Sequence, residues 1–191
     1  CELAVRGLDA LLTYQDYPVK AAENATAGRR PLGIGIINLA FWMAKNGMTY
    51  TQPNLEMIDT FAEAWSYYLI KASADLAEEQ GACLWSDQTK YHHGLTPNQT
   101  YKQDVDELVA HKERMPWREL RDQLKRTGIR NSTLMALMPA ETSAQISNAT
   151  NGIEPPRSLV SVKQSKHGVL KQVVPSIHKL KNKYELLWDQ R

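Results

Sequence analysis

The stretch of this sequence most suited to binding a ligand contains two hydroxyl side chains next to a carboxylate. They are Thr142 and Ser143, which follow Glu141 and precede Gln145. The run from Thr142 to Gln145 fits a capping box, in which a hydroxyl accepts from the third helical N–H group and Gln accepts from the cap's own N–H group. We therefore expect a helix to start near Thr142. Its free amides, its partial positive charge and the two hydroxyls would suit a phosphate group without a Lys or Arg nearby.

An ordinary capped helix explains the same residues, and the pattern alone leaves both interpretations open.

Positioning a phosphate site would require an element on each side of the turn. Residues 132–138 form a short apolar run that Pro139 ends, because proline cannot donate to a strand ladder. The prediction is a strand, a turn and a helix, with the turn at the carboxyl end of the strand, where α/β folds commonly bind ligands.

The remaining pattern contains more helix than strand. Apolar residues at helical spacing predict helices up to residue 14 and over residues 32–44, 54–79, 99–111 and 116–126. In the first helix the expected apolar stripe is Leu3, Gly7 or Leu8, and Leu11 or Leu12, and residues 17–27 are expected to form a polar loop. Gly33 and Gly35 lack a complete dinucleotide motif and are expected to serve close helix packing. Residues 159–163 and 169–174 predict a β-hairpin, with Gly168 at a positive φ angle.

Charge and composition exclude several classes of protein. The chain has 191 residues, of which 42% are hydrophobic, and 23 basic and 21 acidic residues give a net charge of +2. A mixed, nearly neutral surface gives no electrostatic basis for binding nucleic acid or an anionic membrane. The composition is that of a folded domain rather than a disordered segment.

Neither the cysteines nor the histidines form a recognisable site. Cys1 and Cys83 are too few for a disulfide scaffold or a zinc site, lie in no activating motif, and fit a reducing cytosol. His92 and His93 are adjacent and have no Cys or carboxylate at ligand spacing, so a metal site is not expected.

Several segments carry a family resemblance. Residues 117–120 (WREL) and 128–131 (GIRN), with Met135, Ala136 and Pro139 following, resemble the signature of the large subunit of ribonucleotide reductases. The run PAETS at 139–143, followed by QISNATNGIEPP at 145–156, resembles the substrate-phosphate loop of the class I, ribonucleoside-diphosphate enzymes. Residues 14–18, 28–30, 33–35, 79–83 and 184–188 resemble the same family in the same order. The resemblance covers nearly the whole chain.

The resemblance implies a fold that the pattern alone does not give. It implies that residues 1–191 are part of the catalytic barrel domain, as a partial segment of a ten-stranded α/β barrel that is helix-rich and carries a β-hairpin. Residues 132–138 would be a barrel strand with residues 139–143 at its mouth, and the hairpin would be peripheral. The chain opens without Met inside a helical pattern. We therefore expect it to be truncated at both ends.

The resemblance also implies a reaction and a site. The family reduces ribonucleoside diphosphates to 2′-deoxyribonucleoside diphosphates by thiyl-radical chemistry, and Glu141, Thr142 and Ser143 match its substrate-diphosphate positions. Ala140 stands where the family often has a Ser, so that hydroxyl is missing. The motifs of the radical cysteine, the tandem-tyrosine relay and the redox-active cysteine pair are absent from this sequence. Tyr67 and Tyr68 are assigned to packing.

No catalytic residue, metal ligand or bound cofactor is therefore expected in this segment. For the whole enzyme, the resemblance implies a small subunit with a metal-radical cofactor, nucleotide effectors, and thioredoxin or glutaredoxin as reductant. It implies the remaining part of the large subunit as a further partner, no nucleic acid or membrane, and a cytoplasmic location. The segment alone is expected to be inactive and poorly stable, since an open barrel leaves strands unpaired.

Three alternatives remain open at this point. The chain could be an excised piece or one part of a naturally split class I subunit. It could be the corresponding segment of an adenosylcobalamin-dependent reductase, which the similarity at residues 79–83 and 184–188 disfavours. It could also be a non-catalytic interaction module that keeps the fold and has lost the chemistry.

Overall fold

A computed structural model describes residues 1–110, 112–165 and 168–187 of the chain. The α-helices in these residues are α1 (Glu2–Tyr14), α2 (Lys20–Arg29), α3 (Leu39–Lys45), α4 (Leu55–Gln80), α5 (Pro97–Thr100), α6 (Trp117–Thr127), α7 (Glu141–Ile146) and α8 (Ile177–Leu180). Short 3-10 helices lie at Ser86–Gln88, Lys90–His93 and Gln103–Glu107. Strands β1 (Val160–Ser165) and β2 (Gly168–Val173) form an antiparallel hairpin.

The chain divides into two compact units. The larger unit comprises residues 1–34 and 55–136, and the smaller comprises residues 35–54 and 137–191. Helices α1, α2, α4, α5 and α6 belong to the larger unit. The smaller unit contains α3, α7, the hairpin and α8.

Helix α4 provides the largest part of the core of the larger unit. Leu69, Ile70 and Leu76 are fully or almost fully buried, and the ring of Tyr67 packs edge-on against Trp117 of α6 with centroids 5.2 Å apart. Apolar residues spaced three and four apart place these side chains on one face of the helix. The helix predicted over 54–79 is confirmed.

Tyr67 and Tyr68 differ in their surroundings. Tyr67 is buried, as expected for a packing residue, whereas Tyr68 is 52% exposed. The two rings are in edge contact at 5.3 Å.

The helix predicted over 116–126 is also confirmed as α6, and Gly128 ends it with a φ of 72°.

Helix α1 forms where the sequence predicts it, but its buried face is different. Val5 and Asp9 are buried, whereas Leu3 is 88% exposed and Leu11 is 56% exposed. The expected stripe is therefore wrong at Leu3 and Leu11, whereas its alternative Leu12 is partly buried against the core. The reason is the ion pairing of Asp9, which turns a carboxylate and not a leucine row toward the interior.

The carboxylate of Asp9 accepts hydrogen bonds from three side chains. The donors are Nε of Arg30 at 2.7 Å, Nε of Arg130 at 3.1 Å and Nδ2 of Asn131 at 2.9 Å. Burial alone would raise the pKa of Asp9, but these hydrogen bonds outweigh it and the pKa is lowered. Asn131 in turn accepts from Oγ of Ser73 at 2.8 Å. The cluster links α1, the end of α2, α4 and the segment after α6.

The polar loop expected over residues 17–27 is wrong, because most of it forms helix α2. The segment contains four alanines within KAAENATA, and alanine has the highest helix propensity. Gly28, near its end, has no room for a side chain, since a Cβ there would lie 2.5 Å from the Trp85 ring.

The helix expected over residues 32–44 is shorter, and its first part is extended. Leu32 donates to the carbonyl of Thr133 at 2.9 Å, Ile34 donates to Leu134 at 2.8 Å, and Ile34 and Met135 form a parallel bridge. Gly33 and Gly35 thus flank a bridge residue, so their expected role in helix packing is wrong. Glycine is costly inside a helix, and helix α3 starts only at Leu39.

The strand expected over residues 132–138 is present only as the single bridge at Met135. Its neighbours hydrogen-bond to residues 32–34 in the larger unit, and Ser132 donates to the carbonyl of Arg29 at 2.9 Å. This pairing partner is about a hundred residues away in sequence and was expected to be helical. The apolar run therefore predicted extended backbone correctly but not the extent of the strand.

The helix expected over residues 99–111 is wrong. Helix α5 ends at Thr100, and a 3-10 helix covers Gln103–Glu107. The hydroxyl of Tyr101, just after α5, donates to the carboxylate of Asp106 in that 3-10 helix at 2.7 Å. His111 lies outside the described residues.

The smaller unit has its own small core. Ala40 and Ala44 of α3 are buried together with Val174 and Tyr184. Burial raises the pKa of Tyr184 to about 12, and its hydroxyl donates to the carbonyl of Pro175 at 2.8 Å. The predicted hairpin is confirmed, with Val160 paired to Val173 and Gly168 at a φ of 124°. Trp188, which belongs to the segment 184–188, lies outside the described residues.

In the part of the chain that the structure describes, no helix combines the length and hydrophobicity that crossing a membrane requires.

We expect Asp9→Asn to lower the free energy of unfolding by about 3–5 kcal/mol, because it leaves two buried guanidinium groups without their anion. Since the pKa of Asp9 is lowered in the folded protein, its contribution should be present above about pH 3.9 and lost as the pH falls further. Urea unfolding followed by tryptophan fluorescence measures both effects.

The matched control is Glu78→Gln. Glu78 pairs with Arg126 at 3.3 Å, and both side chains are more than half exposed. Exposed pairs of this kind contribute about 1 kcal/mol or less. Equal effects of the two substitutions would contradict the importance assigned to Asp9.

Candidate functional site

Helix α7 carries the three residues that the sequence singles out. It starts at Glu141 with Ala140 at the N-cap position, and the cap makes no side-chain hydrogen bond. Thr142 and Ser143 are therefore the second and third helical residues, and the predicted capping box is wrong. The first hydrogen bond of the helix runs from the amide of Ala144 to the carbonyl of Ala140 at 2.8 Å. The amides of residues 141–143 precede it and have no acceptor within the helix.

The side chains of Glu141, Thr142 and Ser143 are all exposed. The structure thus places two hydroxyl groups and three helix-terminal amides at one accessible position, as the sequence predicts. A helix of six residues has a modest dipole. Directed hydrogen bonds would therefore provide most of the attraction for an anion at this position.

Asn151 takes the role that the predicted capping box assigned to Gln145, which is to accept from the N–H group of the N-cap residue. Its Oδ1 accepts the hydrogen bond of the Ala140 amide at 2.8 Å. Its Nδ2 donates to the carboxylate of Glu154 at 3.1 Å, which fixes the orientation of the side-chain amide. The turn before α7 is therefore held by a residue that lies after the helix.

Other amide side chains hold the loop that carries Asn151. Asn38, at a φ of 72°, donates its backbone N–H to the carbonyl of Thr150 and accepts the Thr150 N–H at Oδ1, both at 2.9 Å. Gln172 of β2 donates from Nε2 to the carbonyl of Ala149 at 3.2 Å. Thr150 and Ala149 are themselves buried. The loop after α7 is thus bound to α3 and to the hairpin within the smaller unit.

Lys163 of β1 forms an ion pair with Glu141, with Nζ 2.9 Å from Oε2. The hydrogen bond from Lys163 and its charge lower the pKa of Glu141, and the charge of Arg157 lowers it further. Glu141, Arg157 and Lys163 line one cavity of about 200 Å³ between α7, the loop after it and the hairpin. The pattern at 141–145 does not require a Lys or Arg, but the structure places two cations beside Glu141, one of them on the hairpin.

Sequence reasoning missed these supporting residues for a physical reason. Lys163 is 22 residues from Glu141, and Asn38 is 112 residues from Thr150. No local periodicity connects residues on separate elements. The Asn-Gly pair at Asn151 marks a turn, but it does not reveal which amide the side chain accepts.

His92, His93 and the two cysteines belong to the larger unit. The rings of His92 and His93 contact each other edge to face at 5.4 Å, and among the described residues no group of three or more His, Cys, Asp or Glu side chains could hold a metal ion. Both cysteines are free. Burial raises the pKa of Cys83, despite opposing contributions from a backbone hydrogen bond and nearby arginines. Its thiol is therefore not activated.

Comparison with known proteins identifies the family. The model of the ribonucleotide reductase barrel domain matches residues 1–189. The chain belongs to the ribonucleotide reductase family. This membership confirms the resemblance seen in the sequence motifs.

The relatives within the family are named as alpha subunits of ribonucleoside-diphosphate reductase. The chain is 55% identical to ribonucleoside-diphosphate reductase subunit alpha of Haemophilus influenzae over 97% of its length, which is 25% of that protein. It is 55% identical to ribonucleoside-diphosphate reductase 1 subunit alpha of Escherichia coli over 93% of its length, or 24% of that protein. The alpha subunit of Enterobacteria phage T4 is 46% identical over 98% of the chain and 24% of its own length. The chain thus spans about a quarter of the length of these reductase subunits.

We expect Asn151→Ala to free the Ala140 amide and loosen the turn before α7. Loss of a single hydrogen bond of this kind costs about 1 kcal/mol, which should raise the exchange rate of the Ala140 amide severalfold. Hydrogen exchange followed by NMR measures this rate directly.

Asn46→Ala is the matched control, because Nδ2 of Asn46 also donates to a backbone group, the carbonyl of Trp42 at 2.7 Å, in the same unit. It should leave the exchange of Ala140 unchanged. An Ala140 amide that exchanges at the same rate in both variants would refute the capping role of Asn151.

Proposed function

We propose that the chain is part of the alpha subunit of a ribonucleoside-diphosphate reductase, and that it supplies the loop binding the diphosphate of the substrate. The observation that carries the proposal is the exposed group of donors at Glu141, Thr142 and Ser143. They occupy the family's substrate-diphosphate positions in a chain that belongs to the family over nearly its whole length.

The donors suit a diphosphate in number and kind. The three amides before the first helical hydrogen bond point away from the helix, and the hydroxyls of Thr142 and Ser143 add two donors that can rotate toward an oxygen. Hydrogen bonds to a charged group contribute about 1.5–3 kcal/mol each. Ala140 offers only its backbone, and that amide is already bound to Asn151.

The proposal also covers the fold of the complete domain. The chain would form part of a ten-stranded α/β barrel that is closed by segments of the subunit outside it. The parallel bridge between Ile34 and Met135 supports this, because parallel pairing is typical of barrels built from strands and helices. The mouth of this barrel would then lie at residues 139–143.

The reductive chemistry would come from the rest of the enzyme. We propose that ribonucleoside diphosphates are reduced there to 2′-deoxyribonucleoside diphosphates by a cysteine thiyl radical, with a small subunit that generates the radical and with thioredoxin or glutaredoxin as reductant. Nucleotide effectors would bind outside this chain. A cytoplasmic location is part of the proposal and fits the two free cysteines.

In the complete alpha subunit, changing both Thr142 and Ser143 to Ala should weaken the binding of a nucleoside diphosphate by at least tenfold, because one or two hydrogen bonds to charged oxygens are lost. Isothermal titration calorimetry with cytidine diphosphate measures the change.

Ser147→Ala, at the other end of α7, is the control for loss of an exposed hydroxyl from the same helix. It should bind the diphosphate normally. A double variant that binds as tightly as this control, with an unchanged circular dichroism spectrum, would exclude Thr142 and Ser143 as diphosphate ligands.

The 191-residue chain by itself should show no ribonucleotide reduction. It has two cysteines, of which Cys83 is buried with a raised pKa, and neither lies in a motif for radical or dithiol chemistry. Product analysis after incubation with cytidine diphosphate and dithiothreitol tests this. Turnover by the isolated chain, retained after Cys83→Ser, would show that residues assigned here to structure perform chemistry.

A further inference from the structure

A carboxylate is an unfavourable neighbour for a diphosphate. Glu141 is the first residue of α7, immediately before the two hydroxyl residues of the proposed loop. Like charges in close proximity repel, and the repulsion grows when water is displaced. A loop that binds a polyanion with Glu141 in place therefore needs a compensating positive charge.

Lys163 is the cation that forms an ion pair with Glu141, and Arg157 lines the same cavity. The Nζ of Lys163 lies 2.9 Å from Oε2 of Glu141, and both residues line the cavity beside α7. We propose that Lys163 is a positioning and specificity-determining residue: it neutralises Glu141 and holds the carboxylate toward the hairpin, so that the loop accepts a diphosphate. This inference rests on the proposed function, because it assigns a role within the same substrate loop.

Stability alone gives a poor explanation for the pair. The side chain of Lys163 is 46% exposed and that of Glu141 is 50% exposed. Ion pairs with such exposure contribute little to folding, because water screens them and two long side chains must be ordered. Their electrostatic effect on a ligand beside them does not depend on this contribution.

Two roles of a lysine in this position can be separated experimentally. A lysine that contacts the phosphate itself would be required whether or not Glu141 is charged. A lysine that neutralises Glu141 becomes dispensable once that carboxylate is replaced by an amide. In the structure the ammonium group is bound to Glu141, which favours the second role.

The charge of the ligand should determine how strongly the loss of Lys163 weakens binding. A diphosphate carries more negative charge than a monophosphate, so an unneutralised Glu141 repels it more strongly. Loss of Lys163 should therefore reduce the preference for a diphosphate over a monophosphate. It should also make the remaining binding more sensitive to salt, because ions screen the exposed repulsion.

The test uses the complete alpha subunit with four variants: Lys163→Met, Glu141→Gln, the combination of both, and Lys171→Met. Lys171 lies on β2 of the same hairpin, is exposed, and is not among the residues lining the cavity. It controls for the loss of a lysine from the hairpin. Calorimetry gives the Kd of cytidine diphosphate and of cytidine monophosphate at low and at physiological ionic strength.

We expect Lys163→Met to raise the Kd of the diphosphate about threefold to fivefold, because one exposed and partly screened carboxylate is left unneutralised, and to raise that of the monophosphate less. Adding Glu141→Gln should restore diphosphate binding, and Lys171→Met should leave it unchanged. Unaltered diphosphate binding in Lys163→Met would overturn the proposal. So would a loss that Glu141→Gln fails to restore, since it would indicate direct contact or a structural role.

These outcomes are distinct from failure of the proposed function. If Thr142 and Ser143 were not diphosphate ligands, their double substitution to Ala would leave the Kd unchanged in the unaltered background. If only the role of Lys163 were wrong, that double substitution would still weaken binding while Lys163→Met would not.

Discussion

The buried carboxylate of Asp9 is the charge on which the larger unit depends. A buried ion without partners costs several kcal/mol, which is comparable to the whole stability of a domain. Arg30, Arg130 and Asn131 must therefore converge on it. This requirement decides which face of α1 is inside, and it fixes the end of α2 and the segment after α6. That segment continues through Asn131 to Met135, where it pairs with Ile34, and the chain then leads into the proposed substrate loop.

In the smaller unit, neutral side chains rather than a buried ion pair hold the backbone around α7. Its loop around α7 is held by neutral amides, in which Asn38 and Gln172 bind the backbone after the helix and Asn151 binds the backbone before it. Amide side chains fix a backbone without adding charge. A loop that must accept an anion benefits from this, because its own amides stay free. Glu141 is the exception, and it is paired with the cation of Lys163.

The elements that the sequence predicted well are those whose signal is local and repeated. Helices α4 and α6 carry apolar residues at helical spacing over several turns, and the hairpin has a glycine at its turn. The predictions were wrong where a residue that is distant in sequence determines the backbone conformation. Residues 32–34 are extended because residues 133 and 134 accept their hydrogen bonds, and the N–H group of the N-cap residue of α7 is bound by Asn151 rather than by Gln145. The site residues were found from the family motif, whereas their partner Lys163 could not be found, because its element is separated from α7 in sequence.

A short helix with exposed amides does not by itself select phosphate, since water satisfies such amides in most proteins. What distinguishes α7 is the combination of those donors with a restrained backbone and a neutralised carboxylate. Restraint matters because hydrogen bonds to a charged oxygen contribute fully only when the donors are already oriented. Neutralisation matters because repulsion by one unpaired carboxylate would offset part of the contribution of such a bond. The proposed function identifies that anion as the diphosphate of the substrate. The hydrogen bond of Asn151 and the ion pair of Lys163 supply the physical conditions under which this loop could hold it.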